Sequence, residues 1–119
     1  MTDSIDDHKR LLERKHTTYY FDVLDRGSGE LVGRTVDITS EGLMLVSEAP
    51  IELNKIFELK LIIPFEVAGS NQIEFDAESH WGKPDVNPEH RITGFKFTKI
   101  TPEEITKIKR LAEEYSFKD

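Results

Sequence analysis

The sequence predicts a mainly β domain, six strands forming an antiparallel β-barrel or sandwich, followed by a C-terminal α-helix. Three observations carry that expectation. Short segments in which apolar residues alternate with period two recur between Tyr19 and Phe97, separated by Gly-, Pro-, Asn-, Asp- and Ser-rich stretches. A helix-start signal follows at Thr101, ahead of an apolar stripe at helical spacing. The chain is 119 residues long, so one domain is expected; at that size folding hides about two-thirds of the chain's surface, and a core without staples is feasible.

Residues 1–16 carry few apolar anchors, Ile5, Leu11 and Leu12, among many charges, and read as a short N-terminal helix or flexible arm. The barrel with its helix is assigned to 17–119. Tyr19, Phe21 and Val23 share one face of a first strand. Asp25-Arg26-Gly27-Ser28-Gly29 reads as a hairpin turn, and Val32, Val36 and Ile38 form the apolar face of the second strand. Ser40-Glu41-Gly42 separates it from a third, Leu43 to Val46. Phe57, Leu59, Leu61 and Ile63 define a fourth strand that Pro64 is expected to end. The clearest half-buried pattern is the fifth, with Ile73, Phe75, Ala77, Ser79 and Trp81 on the inward side and Glu74, Asp76, Glu78 and His80 outward. Thr93, Phe95 and Phe97 mark the sixth. Thr101-Pro102-Glu103-Glu104 forms a capping box, opening a helix over 102–116 whose stripe is Ile105, Ile108, Leu111, Ala112 and Tyr115.

Composition excludes several classes of function. Without cysteine there is no disulfide framework, thiolate metal site or cysteine nucleophile. His8, His16, His80 and His90 lack the spacing of a helical metal site, so no metal is expected. Gly27-Ser28-Gly29 lies in a hairpin turn rather than a nucleophile elbow, and no catalytic residue is nominated. The longest apolar run, Leu61 to Phe65, is far too short to span a membrane, and the N-terminus is unlike a secretion signal. A formal net charge of −7 argues against long nucleic acids and anionic membranes as partners. A cytoplasmic protein that is not an enzyme and has no DNA or RNA partner is therefore expected.

Two features remain. Lys9, Arg10, Arg14 and Lys15 concentrate positive charge just before the first strand, where arginine forks suit a small polyanion. Solvated charges paired with Asp3, Asp6, Asp7 and Glu13 would give the same pattern. The second feature, Asp37-Ile38-Thr39-Ser40-Glu41-Gly42, places a carboxylate, a hydroxyl and a glycine at a strand end. A plain turn uses the same residue types.

Together, in this order, the two features resemble the PilZ domain family, whose signature is Arg-x-x-x-Arg before the first strand and Asp/Asn-x-Ser-x-x-Gly after the second. Trp81 and Thr93-Gly94-Phe95-Lys96-Phe97 extend the resemblance, which covers about residues 13 to 115. It implies a split barrel that binds the second messenger cyclic di-GMP. By residue, it implies that Arg14, helped by Lys15 and Arg10, contacts phosphates and stacks on guanine. Asp37 and Thr39 would bond a guanine edge, with Gly42 letting the backbone turn beneath. Binding would order the arm, and a partner protein, not identified by the sequence, would read the new surface. Two departures accompany the match. Thr39 stands in place of Ser, and counting from Arg14 the second arginine position is Thr18; the frame Arg10-x-x-x-Arg14 keeps both arginines but lies further upstream. The departure at Thr18 supports an alternative, a barrel that has lost the nucleotide and serves as a protein–protein interaction module. A single-stranded nucleic-acid barrel fits less well, because the fifth strand exposes acids where a basic, aromatic groove is needed.

Overall fold

The computed structural model describes residues 20–67 and 69–114. Six strands, β1 (Asp22–Asp25), β2 (Leu31–Ile38), β3 (Gly42–Ser47), β4 (Ile56–Val67), β5 (Ser70–Pro84) and β6 (Arg91–Lys99), precede one helix, α1 (Pro102–Glu114). The strands close into a barrel in the order β1-β2-β3-β6-β5-β4, every pairing antiparallel. The alternation predicts six strands in a barrel or sandwich, and the closed barrel is the form that the family resemblance implies. The expected N-terminal helix or arm, with Arg10, Arg14, Lys15 and Thr18, lies outside the described residues, as does Tyr115.

The core follows from the period of two. Leu59, Leu61 and Ile63 of β4 and Ile73, Phe75 and Ala77 of β5 point inward, joined by Val23, Leu43, Leu45 and Phe95. Phe75 and Phe97 meet edge to face with ring centroids 4.9 Å apart. The β1–β2 turn is held by Gly29 in the left-handed region (φ 79°) and by the Ser28 N–H donating to Asp25 Oδ2 at 2.8 Å. Hydrogen bonds from Ser28 keep the Asp25 carboxyl below the ordinary carboxylate range. The turn is thus favoured while Asp25 is ionised and loses that support as pH falls through the depressed value. From the same turn Arg26 reaches across the barrel end, donating to Phe75 O at 3.1 Å and pairing with Asp76 at 2.7 Å.

The structure departs from the sequence expectation at four places, each for a physical reason. β2 carries an extra residue against β3: Thr35 pairs with Leu45 but Asp37 with Met44. Gly33 and Thr35 are therefore buried before this bulge and Ile38 after it, rather than Val32, Val36 and Ile38 along one face. Thr35 is accommodated inside because its Oγ1 accepts the Phe21 N–H at 3.1 Å. A second bulge, between Ser79 and Trp81 against β6, turns Trp81 outward, where the sequence pattern places it inward; it is 40% exposed. β4 runs through Pro64 to Val67, because the β4–β5 register shifts after Ile62 and the proline sits exposed where no ladder donor is required.

The capping box, the fourth departure, forms by half. The Glu104 N–H donates to Thr101 Oγ1 at 3.2 Å, but the Glu104 carboxylate turns to β5 and accepts the Glu74 N–H at 2.8 Å. Lys107 pairs with Glu104 at 2.6 Å and donates to Gln72 O at 3.3 Å. α1 thereby satisfies backbone groups of β5 beyond the end of the β6 pairing while burying Ile108 and Leu111.

Thr35→Val keeps the shape of that side chain and removes the acceptor for the Phe21 N–H. Urea unfolding is expected to show a loss of about 1–2 kcal/mol; an unchanged midpoint would mean that the hydroxyl does not hold the entry to β1.

Candidate functional site

The Asp37–Gly42 segment is shaped by its own hydrogen bonds. The Ile38 N–H donates to Asp37 Oδ1 at 2.9 Å, the Thr39 N–H to Gly42 O at 2.9 Å, and the Glu41 N–H to Thr39 Oγ1 at 3.1 Å. Thr39 Oγ1 also donates to Gly42 O at 3.4 Å, so this hydroxyl fastens the turn. Gly42 is required by packing. A Cβ there would lie 2.1 Å from Phe95 O of β6, so only glycine lets β3 approach its neighbour this closely. The approach is to the protein's own strand, and its φ lies outside the left-handed region.

Beside this turn lies an open hollow of about 360 Å³ whose lining includes Asp37, Thr39, Glu41, Gly42, Met44, His80, Trp81, Gly94 and Lys96. That volume suits a small molecule. The Trp81 indole forms one wall by lying flat on β6 at Gly94. A Cβ on Gly94 would fall 2.2 Å from the indole Cε2 and 2.3 Å from Nε1. Lys83 Nζ stands 5.7 Å from the ring centroid. His80 contacts Glu78 at 3.3 Å. The described lining thus offers an aromatic face, two carboxylates (Asp37 and Glu41) and one permanent cation, Lys96. Among the described residues no cluster of metal-binding side chains occurs, and no helix is long and apolar enough to cross a membrane.

The geometry brings together Asp37, Thr39 and Gly42 from the sequence-nominated set. Arg10, Arg14 and Lys15 lie outside the described residues. Sequence reasoning did not assign Trp81, His80 or Lys96 to the site. A usable signal was present: an outward glycine in one strand and a tryptophan in the next make a familiar pair, the ring covering the bare backbone.

The chain matches the PilZ domain over residues 8–114. It belongs to the PilZ domain family. PilZ domains are binding and signalling modules, and three solved structures share this one's fold. The Bacillus subtilis inhibitor of motility MotI/DgrA is 18% identical with a TM-score of 0.62, the match covering 78% of this chain and 44% of that one. K. pneumonia MrkH in its apo state is 14% identical at a TM-score of 0.64, covering 83% and 47%. The Borreliella burgdorferi PlzA protein, solved in complex with c-di-GMP, is 13% identical at 0.54, covering 95% and 48%. This PilZ chain therefore spans slightly less than half the length of each. No curated protein sequence matches it.

Because Trp81 is the sole tryptophan, its emission reports on the hollow alone. Gly94→Ala is expected to lift the indole off β6, red-shift its emission and lower thermal stability. An unshifted spectrum would show that the indole does not depend on the glycine.

Proposed function

We propose that this PilZ domain binds cyclic di-GMP in the hollow between the Asp37–Gly42 turn and Trp81, and passes the signal to a partner protein. The observation that carries the reading is the convergence of Asp37, Thr39 and Gly42 on the same hollow as the exposed indole. The family match and the PlzA complex with c-di-GMP support the choice of ligand.

The chemistry divides as follows. Trp81 offers a purine a flat apolar face, worth about 1–3 kcal/mol per stacked base. Asp37 is acceptor-only when ionised and suits the N–H groups of a guanine edge. Thr39 holds the turn through its hydroxyl and lines the same hollow. Phosphate charge calls for cations, and the described lining alone does not balance it. Arg10, Arg14 and Lys15 are the residues assigned to that role. Phe21 pairs with Thr35, two positions before Asp37, so the described chain begins on the β2 side of the hollow, which supports that assignment. The family match begins at residue 8 and so spans Arg10, Arg14 and Thr18 alike. Ligand bridging this segment and the barrel would create a composite surface for the partner to read. A cytoplasmic location suits a receptor for an intracellular messenger.

Titration calorimetry with cyclic di-GMP is expected to give one saturable site on the full chain. Asp37→Ala and Arg14→Ala are each expected to weaken binding about ten- to a hundredfold, through loss of a charge-assisted hydrogen bond. Absence of heat with the wild-type chain at tens of micromolar protein would eliminate the nucleotide and leave the protein–protein interaction module as the function.

A further inference from the structure

We infer that Lys96 is a phosphate anchor supplied by the barrel itself, independent of the N-terminal cations. The inference rests on the nucleotide reading and adds to it a residue that neither sequence motif contains.

Lys96 sits on the outward face of β6, two residues beyond Gly94, which carries the Trp81 indole. Its cross-strand neighbours are Gly42 on β3 and Glu78 on β5. Gly42 has no side chain, so nothing on the β3 side covers the lysine stem. Glu78 is engaged by His80 at 3.3 Å, and Lys96 forms no ion pair among the described residues. An exposed ammonium with three donors on a flexible stem therefore stands between the turn and the indole.

The charge balance gives it a task. A cyclic dinucleotide carries two phosphate charges, and the lining presents the carboxylates of Asp37 and Glu41. A ligand placed by Asp37 and Trp81 alone would bring its phosphates toward those carboxylates with nothing to offset the repulsion. Lys96 is the permanent cation of the described lining, set on the strand that supports the stacking wall. A base against Trp81 would leave the adjoining phosphate within reach of a lysine stem two residues along β6. In the frame that starts at Arg14, the second arginine position is Thr18, and Lys96 would supply from the barrel a cation which that frame lacks.

The test is calorimetry with cyclic di-GMP on the full-length chain, comparing wild type with Lys96→Gln, Lys96→Arg and Lys99→Gln at low and raised sodium chloride. Lys99 lies on the same strand outside the hollow and serves as the surface-charge control. Lys96→Gln is expected to weaken binding about tenfold and to flatten its dependence on salt, because an ion pair to phosphate is screened. Lys96→Arg and Lys99→Gln are expected to bind within about twofold of wild type, and matched thermal melts check that each variant is folded. Should wild type bind while Lys96→Gln binds equally well with the same salt dependence, the anchor is overturned and the nucleotide reading stands. A wild-type chain that binds no nucleotide removes both together.

Discussion

The site depends on two extra residues in the barrel. A β-strand turns alternate side chains to opposite faces, so a strand that buries Thr35 should also bury residue 37, and one that buries Ser79 should bury residue 81. Carried through, that rule would put an aspartate and a tryptophan inside the barrel, the first at the cost of an unpaired buried charge. The bulges at Val36 and His80 shift the phase by one residue each, and Asp37 and Trp81 emerge on the outer surface instead. β3 and β6 lie between the two bulged strands and pair without a register shift, so the two re-aimed side chains face one hollow across a regular floor. Gly42 and Gly94 keep that floor bare. One admits the close approach of β6, and the other admits the indole.

The opposite end of the barrel is built for permanence. Along β5 the helix contacts at Gln72 and Glu74 stand about 23–30 Å from Trp81, taking a rise of about 3.3 Å per residue. There Glu104 and Lys107 satisfy strand groups that no neighbouring strand reaches, and Ile108 and Leu111 close the core. The four-residue strand β1 completes the cylinder by pairing with both β2 and β4, and Phe21 packs edge-on against Phe65 with centroids 5.8 Å apart. Because Phe21 is held by Thr35 through two backbone-directed hydrogen bonds, the chain enters the barrel at a fixed point beside the hollow.

Most of the architecture was legible because burial imposes period two wherever a strand has one wet face. Ile73 to Ser79 is the plainest example, and Ile108 with Leu111 is its helical counterpart. The phase slips were not legible, since a bulge changes which face a residue occupies without changing composition. Val36 looked like a core residue because valine is common there, and Thr35 looked exposed because its partner, the Phe21 N–H, is remote in sequence. Pro64 read as a strand end since the register shift that frees it of a ladder bond is a property of the pair rather than of β4. Asp37, Thr39 and Gly42 were found as a motif because they are contiguous. Trp81 and Lys96 belong to other strands, and only the closed barrel brings them to the same place.

The charge of the hollow gives it a means of discrimination. A pocket made for phosphate alone would be lined with cations, and any small polyanion would fill it. This one sets the carboxylates of Asp37 and Glu41 beside a tryptophan and a lysine, in a chain whose net charge is −7. Free phosphate would meet the repulsion of two carboxylates there, with Lys96 the one permanent cation of the described lining to offset it. A guanine nucleotide brings N–H donors for a carboxylate and a flat ring for the indole, so its base offsets the repulsion that its phosphates meet. Adenine presents no matching pair of donors on the corresponding edge, and an unpaired carboxylate facing it would lose water without replacement. Under the proposed function, the base would set the choice of ligand, and the cations would set how tightly it is held.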